Sequence, residues 1–185
     1  MQIEPAGSRV FTTNFAPYGV VGFHATSGAA ASAIERVGFF PHKFFDHETH
    51  LGMIAVAKDV ELDIGGSCGY LAWLDVNSVT FAKKADAAIS HATSGKSGGQ
   101  GLSHIAAIVN AAGAMPQHHP LLQSVRAEID RIERSTPVVY AVDLSGLGVR
   151  LAEEGDLYRV AFDPSAPRPA ISIVDPTRLV ARLNL

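Results

Sequence analysis

The sequence predicts an α+β domain, and three observations carry that prediction. Short β-branched or aromatic runs are interspersed with alanine- and leucine-rich runs at helical spacing through the first two thirds of the chain. From Pro137 onward the chain turns strand-rich, with proline and glycine punctuation between the runs. Cys68 is the single cysteine in 185 residues, so no disulfide framework holds the fold and a hydrophobic core must do so.

The elements are justified in chain order. Tyr18 to His24 reads as a short buried strand, and Thr26-Ser27 offers an N-cap. Ala29 to Val37 follows as a helix, with Ile34 and Val37 on one face and Gly38 as the stop. Phe39 to His50 reads as an aromatic, histidine-rich loop, and Met53 to Ala57 as a strand or a helical turn. Gly65 to Gly69 reads as a turn, Tyr70 to Leu74 as a second strand, and Phe81 to Ile89 as a short helix. Four glycines between Ser94 and Gly101 predict a flexible loop. Leu102 to Ala112 reads as a helix ending at Gly113. Pro120 opens another, in which Leu121, Leu122, Val125, Ile129 and Ile132 recur at helical spacing. Pro137 to Asp143 is a β-branched strand. Val149 to Leu151 and Tyr158 to Phe162 form a hairpin about the turn Glu153-Glu154-Gly155-Asp156. Ile171 to Val174 reads as the last strand, and Thr177 to Leu183 closes the chain. No linker divides residues 1–185, which read as a single domain.

The formal net charge of -3 is too small for a broad nucleic-acid or anionic-membrane footprint. No run approaches the ~18 apolar residues of a membrane span, and Met1 to Pro5 lacks the basic and apolar regions of a secretory signal. The expectation is a cytoplasmic protein with no membrane partner, export by a non-classical route remaining open. Hydrophobic residues make up 47% and charged residues 18%, a surface sparse enough in charge to imply either modest solubility or a partner covering part of it.

The segment from Val20 to Phe39 carries the chemistry. A histidine at a strand end, here His24, can hold a ribose hydroxyl. The backbone amide and carbonyl just after it, at Ala25, can pair with a carboxamide. Gly69-Tyr70-Leu71-Ala72 places a tyrosine after a glycine turn, where its ring can lie on an aromatic ligand such as nicotinamide. His24, Ala25, Thr26, Ile34, Gly38 and Phe39 resemble the first motif of the ADP-ribosyltransferase superfamily, His-x-Thr followed by a helix and Gly-Phe. Tyr70 is similar to the stacking tyrosine of its poly(ADP-ribose) polymerase branch, and the late strands are similar to that superfamily's last two.

The resemblance implies a split, mostly antiparallel β core with peripheral helices. It also implies NAD as substrate, held by His24, Ala25, Thr26 and Tyr70. The superfamily's usual glutamate at the start of the last strand matches Ala170, a departure. The resemblance then implies a divergent third residue, a compensating Asp163 or Glu154, or a site without catalysis. The acceptor is a protein, a nucleic acid or a small molecule, and a bacterial toxin or effector fits by analogy. The rival readings are a non-catalytic interaction module and an NAD glycohydrolase.

Other constellations are weaker. His42, Asp46, His47, Glu48 and His50, with His118-His119 downstream, have zinc-ligand chemistry. But His-Glu-x-x-His is absent and phenylalanines surround the cluster, so it reads as the rim of a pocket and no metal is expected. Gly95-Lys96-Ser97 fails as a Walker loop: Ser90 stands where the first glycine belongs, and Gly98-Gly99 stand where the helix should begin. No Gly-x-Ser-x-Gly elbow is present. Cys68 reads as a small filler in a glycine turn. His-Ala-Thr-Ser-Gly occurs at 24–28 and again at 91–95, the second copy reading as coincidence.

Overall fold

A computed structural model describes residues 1–39, 47–62, 78–94, 99–113, 115–161 and 174–185. They form a mixed α and β protein: one seven-stranded sheet and, among the described residues, five α-helices.

The sheet contains β1 (Gln2–Ile3), β2 (Val21–Ser27), β3 (Ser78–Ala82), β4 (Pro137–Asp143), β5 (Leu151–Glu154), β6 (Leu157–Ala161) and β7 (Leu179–Asn184). Their order is β1-β7-β4-β2-β3-β6-β5. Every pairing is antiparallel except that of β1 with β7. The helices are α1 (Gly28–Val37), α2 (His47–Asp59), α3 (Ala85–Thr93), α4 (Gly99–Ala112) and α5 (His119–Glu133).

The alternation of side chains along each strand divides the core into two layers. On one face Val79, Phe81, Val138, Tyr140, Val142 and Val160 pack with Ala31 of α1 and with Phe39. On the other, Phe23, Val139, Ala141 and Leu183 pack with Ala88 and Ala92 of α3, with Phe11 and Phe15 against them. A third cluster joins Met53 and Val56 of α2, Ile105 and Val109 of α4, and Val125 and Ile132 of α5. Ala29 packs against that cluster while Ala31 faces the sheet, so α1 bridges the two.

Several predicted elements stand where the sequence puts them. Leu122, Val125, Ile129 and Ile132 form the buried stripe of α5, Pro120 lies in its first turn, and β4 spans Pro137–Asp143. The hairpin is present with a tighter turn. Glu153 and Glu154 belong to β5, and Gly155 alone takes a positive φ, 57°, leading the two-residue connection.

Other elements differ. His24 is not at a strand end; it sits in the middle of β2, because β4 pairs with all seven β2 residues through Ser27↔Pro137. Thr26 is therefore a buried strand residue, and Ser27, though it precedes α1, makes no side-chain cap. Its hydroxyl is fully buried with no hydrogen-bond partner among the described residues. His47 to His50 belong to a helix and not to the expected loop, and Met53 to Ala57 continue that helix, the helical of their two expected forms. Phe81 and Ala82 belong to β3, and the helix starts only at Ala85. Helix α4 begins at Gly99, inside the expected loop, so glycine's poor propensity is overridden by the packing of Leu102 and Ile105 that follows. Residues 95–98 lie outside the described set. The last strand is β7, because Leu179, Val180, Ala181 and Leu183 all find burial beside β4. Of the expected strand at Ile171–Val174 only Val174 is described, in a bridge to Phe39.

The chain before β2 is held by a buried acid. Glu4, 2% exposed, accepts hydrogen bonds from the Thr12 hydroxyl at 2.5 Å, the Thr13 hydroxyl at 2.6 Å and the Thr13 amide at 3.0 Å. Burial raises its pKa, but these donors outweigh burial and bring it down from 4.5 to about 2. A carboxyl more acidic folded than unfolded stabilises the fold above its unfolded pKa and loses that contribution as pH falls toward the folded one. Acid unfolding is therefore expected to steepen between pH 4.5 and about 2. Glu4→Gln should flatten that stretch of a melting-temperature series. An unchanged profile in the variant would show that the latch does not contribute.

Candidate functional site

His24 anchors a row of side chains that crosses the sheet on one face. The register pairs His24 with Tyr140 and Tyr140 with Arg182 on one side. On the other, Phe23↔Ala82 sets His24 beside Phe81, which pairs with Tyr158, which pairs with Glu153. Directly opposed residues share a face with Cβ atoms about 5 Å apart, so Arg182, Tyr140, His24, Phe81, Tyr158 and Glu153 form a continuous ribbon.

The His24 ring is fixed. Its Nδ1 lies 3.0 Å from the Thr80 carbonyl oxygen. A carbonyl only accepts, so Nδ1 carries the proton, and in the neutral ring Nε2 is the acceptor nitrogen. Phe39 meets the imidazole edge to face at 4.9 Å and Phe81 lies tilted to it at 5.4 Å, and both phenylalanines are buried. The ring itself is half-buried.

Phe39 reaches this position through the end of α1. Gly38 has φ 80° and ψ -165°, a region essentially closed to other residues, and its amide hydrogen-bonds to the Ile34 carbonyl. The turn lets the Phe39 amide donate to the Val174 carbonyl at 2.9 Å.

The two ends of the row differ in character. Toward β7 it is closed: the buried Tyr140 hydroxyl donates to Glu35 Oε1 of α1 at 2.8 Å, and Arg182 donates to the same oxygen at 2.7 Å. Burial, and then the Glu35 acceptor, push the Tyr140 pKa upward, so it stays a neutral donor. Toward β5 it ends, among the described residues, at the exposed Glu153 carboxylate. Lys83 Nζ bonds to Glu153 at 2.6 Å and stands 5.1 Å from the centre of the Tyr158 ring. The bond to Glu153 raises the Lys83 pKa, keeping it an ammonium at neutral pH.

Of the residues expected at the site, His24, Ala25 and Thr26 lie consecutively on β2, with Thr26 buried and paired with Val138. Tyr70, Asp163 and Ala170 lie outside the described residues, as do Cys68, His42 and Asp46. Glu154, a candidate to compensate for Ala170, faces away. It neighbours Glu153 on β5, so its side chain takes the opposite face, where it pairs with Arg159 at 2.9 Å.

Sequence reasoning missed Phe81, Lys83 and Tyr158 as neighbours of His24. The run Val79-Thr80-Phe81 carried a strand signal, β-branched and aromatic, that the alanines after it masked. Among the described residues no three His, Cys, Asp or Glu side chains converge as a metal site would require. Gly95 follows helix α3, whereas a Walker loop follows a strand. An open basin of about 410 Å³ lies along α5 between Ala127 and Ser135, sharing no residue with the row. Its arginines, Arg131 and Arg134, are paired with Glu128 and Asp130 of their own helix.

Comparison of the chain with protein-family models, with curated proteins and with solved structures returns no match.

Proposed function

We propose that this chain cleaves the nicotinamide–ribose bond of NAD and transfers ADP-ribose to an acceptor, on an ADP-ribosyltransferase-like fold. The observation that carries the reading is the fixed His24 imidazole. Its tautomer is set by Thr80, and it is followed directly by Ala25, Thr26 and the start of α1. The resemblance implies a split, mostly antiparallel core with peripheral helices; the sheet is mostly antiparallel with helices on its faces, though among the described residues its seven strands run as one sheet.

In this reading His24 Nε2 accepts a hydrogen bond from a ribose hydroxyl. The Ala25 backbone holds the carboxamide, Thr26 supports that backbone, and Tyr70 stacks on the nicotinamide. The bond from the ribose anomeric carbon to the pyridinium nitrogen breaks, and its electron pair neutralises the leaving nicotinamide. The oxocarbenium-like ribose is captured by the acceptor's nucleophile, which gives up its proton. A carboxylate near the ribose stabilises the charge developing there, and Asp163 is assigned that role.

Asp163→Asn is expected to lower turnover by about a hundredfold with NAD binding retained, the usual worth of one positioned electrostatic or acid-base group. Glu154→Gln should leave turnover unchanged, because its carboxylate occupies the other face. Full activity in Asp163→Asn would remove Asp163 from the mechanism.

The function itself is tested by following nicotinamide release from NAD with and without added protein, nucleic-acid or small-molecule acceptors. Release only with an acceptor is the expected result. Release in water alone makes the chain a glycohydrolase. No release together with no NAD binding overturns the reading in favour of a non-catalytic interaction module.

A further inference from the structure

We propose that Lys83 is the seat for a phosphate of the dinucleotide, and that Glu153 is an internal placeholder occupying that seat when the site is empty. The inference rests on the NAD reading for its ligand, and on the β5 end of the His24 row for its geometry.

Lys83 follows Ala82, so its side chain returns to the face that carries Phe81 and His24, and its contact with Tyr158 agrees. It lies one strand across from His24 and two residues along. Strand spacing and rise put the two backbones roughly 8 Å apart, within reach of one ribose phosphate. The Tyr158 ring, itself half-buried, supports the ammonium from below, so its position does not depend on Glu153 alone.

The two partners of the ion pair are unequal. The Lys83 side chain is 25% exposed, whereas that of Glu153 is 68% exposed and stands on the edge strand β5. An exposed carboxylate on an edge strand swings aside at small cost, because such pairs contribute little net stability. The dinucleotide's pyrophosphate carries a negative charge on each of its phosphates, so together they bring more charge and more acceptor oxygens to the same ammonium than one carboxylate does. Tyr158 and Lys83 thus form the fixed part of the seat and Glu153 the displaceable part.

This arrangement gives the two ends of one salt bridge opposite effects on binding, which a purely structural pair would not do. The experiment measures the affinity of the full chain for ADP-ribose, inorganic pyrophosphate and nicotinamide by titration calorimetry, with melting temperatures as the folding control. Lys83→Gln is expected to weaken ADP-ribose and pyrophosphate about tenfold and to leave nicotinamide alone. Glu153→Gln should tighten both phosphate ligands about two- to fivefold, by removing the competitor. Lys83→Arg should retain most of the affinity.

If both Gln variants weaken phosphate binding alike, or neither changes it, the proposal is overturned. If ADP-ribose binding ignores Lys83 while nicotinamide release persists, the seat is wrong and the transferase reading stands. If pyrophosphate follows the opposed pattern but NAD is never cleaved, the seat stands and the transferase reading falls.

Discussion

His24→Ala is expected to reduce nicotinamide release from NAD by about a hundredfold or more, because a misplaced ribose loses the alignment on which bond cleavage depends. The fold should tolerate the change. The imidazole is half-buried, and its hydrogen bond to Thr80 goes to the carbonyl of an exposed residue, at which water can replace it. The loss of ring contacts with Phe39 and Phe81 should cost about 1 kcal/mol, a melting shift of a few degrees. The measurement is single-turnover nicotinamide release beside a thermal melt. Wild-type release in a folded His24→Ala protein would sink the assignment of His24 to the substrate.

The largest stability effect is expected at Gly38. With φ 80° and ψ -165° it occupies a region where a side chain is strained by about 1–3 kcal/mol before any contact is counted. A Cβ there would also stand 2.2 Å from the Val174 carbonyl oxygen and 3.0 Å from Pro176 Cδ. The nearer atom is backbone, so relief requires breaking the Phe39–Val174 bridge. Gly38→Ala should therefore lower stability by about 3 kcal/mol or more, roughly 6–12 °C in melting temperature for a chain of this size. Because Phe39 covers His24, the same substitution should also loosen the imidazole and lower NAD turnover beyond what thermal unfolding explains. A melting temperature within 2 °C of wild type would show that the α1 turn relaxes without strain.

What could be read in the sequence was local. The α1 stop at Gly38, the apolar stripe of α5, the β4 strand and the β5–β6 hairpin each rest on residue types whose preferences act within a few positions. His24, Ala25 and Thr26 could be singled out as candidates for the same reason, as a contiguous motif.

The repeated pentapeptide marks the boundary of that reasoning. His24-Ala25-Thr26-Ser27 is strand, paired along its length with β4, while His91-Ala92-Thr93 ends helix α3, with Ala92 buried against the sheet. The same residues adopt two conformations because each is decided by the partner that covers it, and small residues carry too little intrinsic preference to resist.

The α+β class, the stop of α1 at Gly38 and the apolar stripe of α5 follow from the residue types themselves. Which side chains share the face of His24 follows from strand pairing instead. Strand pairing is a long-range choice: Val21–Ser27 meets Pro137–Asp143 more than a hundred residues away, and one step of register would move every side chain to the other face. That choice places Glu153 in the His24 row and turns Glu154 away, though the two adjacent glutamates are chemically identical in the sequence.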